Sequence, residues 1–163
     1  MKEKILMRLF GIKIKRNILS DEERLKALDI FTPHLLDLTS LGESNPALQS
    51  LPNLHTFEEY KWFFDIMKKR LNIKGNILTS WIIGWRSDCE NCWHNHGNFN
   101  RTSVLYSLEN PEEKGTWFKK YNLILKTKTP TNSVLIFPSK LYHSPPDKVK
   151  LPRYTLAIDY DTK

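Results

Sequence analysis

Three of the five histidines lie in two short stretches, Trp93-His94-Asn95-His96-Gly97-Asn98 and Leu141-Tyr142-His143-Ser144. Side chains on an extended segment alternate between faces, so His94 and His96 project the same way with Cα atoms roughly 6.5–7 Å apart. Two imidazoles so placed can share one metal ion. His143, far along the chain and just past an apolar run, supplies a third ligand. Three protein ligands leave coordination positions open, which a catalytic site needs and a structural one does not. Neutral imidazole binds iron, zinc, copper and nickel alike, so these ligands do not choose the metal. His34 and His55 stand alone and are expected to be surface or satisfied core residues.

A rival reading uses the cysteines. In Cys89-Glu90-Asn91-Cys92-Trp93-His94-Asn95-His96, a C-x-x-C pair runs into the H-x-H pair and suggests a local structural zinc site. Only Trp93 separates the pairs, which leaves little chain to wrap four ligands tetrahedrally around one ion. A redox pair beside the histidines, or two free thiols in a loop, are the other readings. Two cysteines are too few for a secreted disulfide framework.

A second constellation lies near the C-terminus. In Pro152-Arg153-Tyr154-Thr155-Leu156-Ala157-Ile158-Asp159, polar Arg153, Thr155 and Asp159 alternate with Tyr154, Leu156 and Ile158, so Arg153 and Thr155 share a face. An arginine turned into a protein interior is costly unless an anion meets it. Its guanidinium donates two parallel hydrogen bonds to a carboxylate, and a neighbouring hydroxyl adds a third. The alternative is an arginine at the rim paired with a protein carboxylate such as Asp159.

The elements that must position these groups follow from local pattern. Residues 5–16, rich in isoleucine and partly alternating, predict a strand that opens the sheet. Ser20 with Glu23 three residues on predicts a capped helix over about 21–31, stopped by Pro33. Pro33 to Pro52 lacks a period and predicts an irregular connection. Thr56 with Glu59 predicts the cap of a second helix whose stripe of Phe57, Tyr60, Phe63, Phe64 and Met67 packs on a sheet. After Asn72 come β-prone runs at 76–86, 102–108, 115–118, 121–126, 133–137 and 153–160. The sum is a mainly β, α+β fold: a jelly roll or β-sandwich with flanking helices, with helical support over about 21–70 and a barrel core over about 73–160.

A chain of 163 residues with 40% hydrophobic and 12% aromatic content suits one domain with a single core over 1–163. No run approaches the roughly 20 apolar residues needed to cross a bilayer, so a soluble cytoplasmic protein is expected. The net charge of +7 allows an anionic partner, but the lysines are scattered, as on a solvated surface. No RNA-recognition, helix-turn-helix or paired zinc-finger pattern is present, so motifs do not indicate a nucleic-acid partner.

Cys92-Trp93-His94-Asn95-His96-Gly97-Asn98, then Thr102-Ser103-Val104-Leu105-Tyr106, Ile136-Phe137-Pro138-Ser139 with Leu141 and His143, and Pro152-Arg153-Tyr154-Thr155-Leu156 together resemble the iron(II)- and 2-oxoglutarate-dependent oxygenases of phages and bacteria. The resemblance is strongest over 79–160; Ser80-Trp81, Ser44-Asn45 and Gln49-Ser50 extend it weakly upstream. It implies a double-stranded β-helix, a cupin-like jelly-roll barrel with iron(II) at its open end, as the fold of the domain. It implies His94 and His143 as metal ligands, Arg153 and Thr155 on the distal carboxylate of 2-oxoglutarate, and Tyr106 hydrogen-bonded to that co-substrate. Taken alone, Tyr106 reads equally as a core or interface tyrosine. The activity implied is oxidation of a substrate coupled to decarboxylation of 2-oxoglutarate to succinate and CO2, in the cytoplasm of a bacterium or of a phage's host. The wider superfamily carries His-x-Asp, and His96 stands here where that carboxylate would be; the closer phage-like group is similar in carrying H-x-H. The alternative functions are a cupin-like metal-binding or non-catalytic barrel, or a structural zinc site at Cys89, Cys92, His94 and His96. Specificity is expected in the loops 87–91, 109–114 and 145–151, which do not identify a substrate.

Overall fold

Alternating apolar residues drive the second half of the chain into strands, and the parity of each strand decides which of two layers its side chains enter. The computed structural model describes residues 2–36, 39–40, 47–85, 93–97, 100–146 and 153–161. Ser44, Asn45, Cys89, Cys92 and Asn98 lie outside the described residues, as do the loop 87–91 and most of 145–151. In order, the elements are α1 (Lys2–Phe10), β1 (Lys13–Arg16), α2 (Asp21–Leu36), β2 (Thr39–Ser40), β3 (Ala47–Gln49), α3 (Lys61–Leu71), β4 (Ile77–Trp85), β5 (Arg101–Glu109), β6 (Lys114–Lys120), β7 (Leu123–Lys128), β8 (Ser133–Pro138), β9 (Tyr142–Ser144) and β10 (Tyr154–Asp161). Two single 3₁₀ turns, Leu54–Thr56 and Glu58–Tyr60, lead into α3.

One antiparallel sheet runs β1-β8-β5-β10-β4-β3-β2 and the other β7-β6-β9. Strand β10 lies between β4 and β5, and its register with β5 sorts the side chains. Leu156 opposite Tyr106 and Ile158 opposite Val104 join Phe31, Phe63, Phe64 and Met67 in a core between the large sheet and helices α2 and α3. Thr155 opposite Ser107, Ala157 opposite Leu105 and Asp159 opposite Ser103 take the other face. On that side Leu105, Leu135 and Phe137 meet Phe118 and Leu125 of the small sheet, with Phe10 and Ile12 closing the layer. The space between the sheets is the barrel interior, and β10 presents its polar residues to it.

Four local expectations are corrected. Residues 5–16 are not one strand: α1 occupies Lys2–Phe10, and only Lys13–Arg16 pairs, with β8 at the sheet edge. Leu6, Met7 and Phe10 recur at helical spacing and pack on the inter-sheet core, where Phe10 is 2% exposed. Burial of one such side chain is worth roughly 1.5–3 kcal/mol and outweighs the strand preference of isoleucine. Gly11, with φ of 71°, ends the helix, and Ile12 N–H returns to Met7 O at 2.8 Å. Helix α2 also runs through Pro33 to Leu36. One backbone bond is forfeited there, while Leu35 packs on the core and His34 bonds the Tyr60 hydroxyl, so tertiary contacts hold the last turn. Thr56 does not cap α3; its hydroxyl donates to Asn53 O within the first 3₁₀ turn, and α3 starts at Lys61. The expected stripe is otherwise in place, with Tyr60, Phe63, Phe64 and Met67 buried and Phe57 exposed. The stretch read as irregular contributes β2 and β3, and β9 also escaped the pattern; all three are too short for periodicity to show.

The cap of α2 forms as expected. Ser20 N–H donates to Glu23 Oε2 at 2.7 Å, and Glu23 N–H donates to Ser20 Oγ at 3.2 Å. Arg70 of α3 adds two parallel bonds to Glu23, at 2.6 and 2.8 Å, tying the end of α3 to the start of α2. Arg70, and then the Ser20 N–H, hold the Glu23 carboxyl at about 2, well below the ordinary range. A depressed carboxylate stabilises the fold in full above its unfolded value of roughly 4.3, and that contribution is lost as pH falls toward 2. Solvent screening limits it to on the order of 1 kcal/mol. Between pH 5 and pH 2 the thermal midpoint of the native protein should therefore fall further than that of Glu23→Gln; parallel curves would show the pair contributes nothing.

Candidate metal centre

Backbone pairing, more than side-chain contact, brings the histidines together. His94 and His143 form an isolated antiparallel bridge, each N–H donating to the other's carbonyl at 3.0 and 2.9 Å. His96 N–H donates to Ser139 O at 2.9 Å, which anchors the H-x-H segment to the end of β8. Strand β9 pairs with β6 so that His143 lies opposite Phe118. The ring points inward against Phe137, with centroids 4.8 Å apart. The ring centroids of His94 and His96 are 5.6 Å apart, those of His94 and His143 4.3 Å, and those of His96 and His143 5.2 Å. One ligand nitrogen from each of the three falls within 4.8 Å of the others. Nitrogens about 2.1 Å from a common ion are at most about 4.2 Å apart, so a small ring rotation completes the site.

Burial is graded across the cluster: His143 is 5% exposed, His96 is half-buried and His94 is exposed. The centre thus opens on the His94 side and is closed by Phe118 and Phe137 on the other. His143 Nδ1–H donates to Leu141 O at 2.9 Å, leaving Nε2 free to ligate. Burial, and then the neighbouring His94, push the His143 imidazolium down to about 3, so the ring is neutral at pH 7, as metal binding requires.

The His96 side chain is held by β10. Its Nδ1–H donates to Asp159 Oδ2 of β10 at 2.9 Å. Ser103 Oγ–H donates to Asp159 Oδ1 at 2.6 Å, and the Ser139 hydroxyl lies 2.8 Å from Ser103 Oγ. Asp159, Ser103 and Ser139 are all buried. The Trp81 ring lies 6.1 Å from the His96 ring, centroid to centroid.

Thr155 lies on the inward face of β10 and Arg153 immediately precedes that strand; each is 3% exposed. Asp159, the carboxylate weighed as a partner for Arg153, is bonded by His96 and Ser103. Thr155 Oγ1 has no hydrogen-bond partner among the described residues, an orphaned donor beside a buried guanidinium that suits an anionic ligand. Tyr106 is corrected. It lies on the opposite face of β5 from Ser103 and Ser107, packs edge-on against Phe63, and donates to Asn132 Oδ1 at 3.2 Å. It is a core residue of the helix-facing layer, because it lies three positions along the strand from Ser103 and strand parity turns it away from the histidines. His34 and His55 are satisfied as expected, by Tyr60 and by Ser80. The group that sequence reading missed is Asp159 as a partner of His96. Its signal was its position four residues after Thr155, hence on the same face.

No family model matches the sequence, and no curated protein sequence does. Solved structures do match. The chain is similar to a prolyl hydroxylase from Trichoplax adhaerens, solved in complex with a hypoxia-inducible-factor peptide fragment, at 14% identity and TM-score 0.72, covering 98% of this chain and 87% of that one. It is similar to a prolyl-4-hydroxylase from Pseudomonas putida at 10% identity and TM-score 0.68, covering 99% and 98%. It is also similar to HygX from Streptomyces hygroscopicus, solved with nickel, 2-oxoglutarate and hygromycin B, at 12% identity and TM-score 0.69, covering 98% and 85%. Over almost its whole length this chain therefore has the jelly-roll fold of these structures, the double-stranded β-helix.

Proposed function

We propose that the protein is an iron(II)- and 2-oxoglutarate-dependent oxygenase that hydroxylates its substrate with release of succinate and CO2. The carrying observation is the layout of one strand face. Asp159 supports the three-histidine cluster at one end of β10, Thr155 follows on the same face about 13 Å along the strand, and the buried Arg153 immediately precedes the strand's other end. A molecule with a metal-chelating head and a carboxylate tail fits between. Iron(II) with 2-oxoglutarate supplies the oxidising chemistry when bound. The chain's own residues do the rest: His94, His96 and His143 hold the ion, Arg153 and Thr155 orient the distal carboxylate, and Phe118 and Phe137 keep water from the buried side. The substrate approaches from the side of His94.

The test is anaerobic calorimetry of metal-free protein with iron(II), then with 2-oxoglutarate. Saturable binding of both, the second only after the first, is expected. Metal binding with no response to the keto acid would favour the cupin-like or non-catalytic barrel, and no metal binding would overturn the metal reading altogether.

The reading extends to an anionic substrate met in the cytoplasm. Its support is the +7 charge and a cavity of about 380 Å³ lined by Lys119, Lys120, Lys140, Tyr121 and Tyr142, beside the strand that carries His143. No helix among the described residues is long and apolar enough to cross a membrane. Heparin, used as a polyanion probe in fluorescence anisotropy, should bind more weakly at higher ionic strength and to the double variant Lys119→Glu, Lys140→Glu. Unchanged binding by the variant would remove this face from the proposal.

A further inference from the structure

A set of two histidines and one carboxylate lowers the charge of a ferrous ion from two to one, whereas three neutral imidazoles leave it at two. The ligand set here lacks the carboxylate. Yet Asp159 stands one hydrogen bond behind the ligand that replaces it, at 2.9 Å from His96 Nδ1. The carboxylate is 3% exposed, and among the described residues its side-chain bonds come from His96 and Ser103. Burying a carboxylate costs several kcal/mol unless charge or good hydrogen bonds offset it. A cation on the far side of the His96 ring would meet that need.

Resting on the metal reading of the site, we propose that Asp159 is a positioning residue for the centre: it locks the His96 ring with Nε2 toward the ion and supplies, from behind the ligand, the negative charge that the three imidazoles lack. Ser103 donates to Asp159, and Ser139, whose carbonyl already holds the His96 N–H, bonds Ser103 in turn. The carboxylate is thus fixed by the β5 and β8 ends of the same layer that fixes the loop. The chain has moved its acidic group outward by one imidazole, from the metal to its support, and taken it from β10 instead of the H-x-H segment. Such partners orient the ligand and raise its basicity.

The competing explanation is that Asp159 only pins the H-x-H segment to β10. Asp159→Asn separates the two, because the amide keeps the shape and an acceptor oxygen for His96 while losing the charge. The metal-free variant should unfold at the temperature of the native protein, and its affinity for cobalt(II), titrated by visible absorption and calorimetry, should fall about 10–100-fold with a shifted d–d spectrum. Asp159→Ala should lose at least as much. Should Asp159→Asn fail to fold, Ser103→Ala is read instead, with a smaller loss of cobalt affinity and a spectral shift in the same direction expected. Native cobalt affinity and spectrum in the variant that folds would overturn the proposal while leaving the oxygenase reading intact. Absence of cobalt and iron binding by the native protein would overturn both.

Discussion

His143→Ala should abolish iron(II) binding, with an affinity loss beyond the roughly 100-fold seen for groups that only support a ligand. Of the three histidines it is the one most committed to the role. Its Nδ1–H is already placed on Leu141 O, its ring is wedged against Phe137, and burial keeps it neutral, so Nε2 is presented with no proton to displace. His94 is exposed and, besides its ring contact with His143, forms a backbone bridge to it. That bridge survives the substitution, so His94 and His96 remain near each other and the variant isolates the third ligand. Truncation also leaves a void beside Phe118 and Phe137, and a drop in metal-free stability of about 1–3 kcal/mol is expected. The discriminating quantity is therefore the stabilisation gained on adding iron(II) under anaerobic conditions. The native protein should show a rise in unfolding temperature with metal, and His143→Ala none at any concentration that saturates the native site. An equal rise in both would mean that the ion binds elsewhere.

What the sequence made legible was whatever depends on period and type. The H-x-H pair and the distant His143 could be matched because an extended segment puts alternate residues on one face and an apolar run announces the strand before the third ligand. The aromatic stripe from Tyr60 to Met67 likewise showed its burial in its spacing. Illegible were the features that depend on which face meets which layer. Tyr106 and Ser103 lie on one strand three residues apart, and only the sheet pairing reveals that the serine faces the histidines while the tyrosine faces α3. Asp159 seemed a natural partner for Arg153 on the same strand face. Six residues of chain hold their backbones about 20 Å apart, and the contact that forms is with His96 of the H-x-H segment. Helix α1 was missed for a related reason: Leu6, Met7 and Phe10 satisfy a helical period only once Phe118 and Leu125 are known to wait beneath them.

Arg153→Ala should separate the co-substrate from the metal. The guanidinium is buried just ahead of β10, and the Thr155 hydroxyl two residues on has no hydrogen-bond partner among the described residues, so a carboxylate arriving there meets a guanidinium fork and a hydroxyl donor. Removing one member of a buried charge pair costs about 3–5 kcal/mol, which at 1.4 kcal/mol per tenfold is a loss of roughly 150- to 4,000-fold. Thr155→Val, which removes one hydroxyl donor to a charged group, should cost closer to 1.5–3 kcal/mol, or roughly 10- to 150-fold. Iron(II) affinity should stay near native in both, because neither side chain is a member of the histidine cluster. The sharper readout is discrimination. The native protein should bind 2-oxoglutarate far more tightly than pyruvate, which has the same chelating head and no distal carboxylate, and Arg153→Ala should bring the two together by weakening only the first. If both keto acids weaken equally, Arg153 supports the fold and not the tail of the co-substrate; if neither weakens, the anion site lies elsewhere in the barrel.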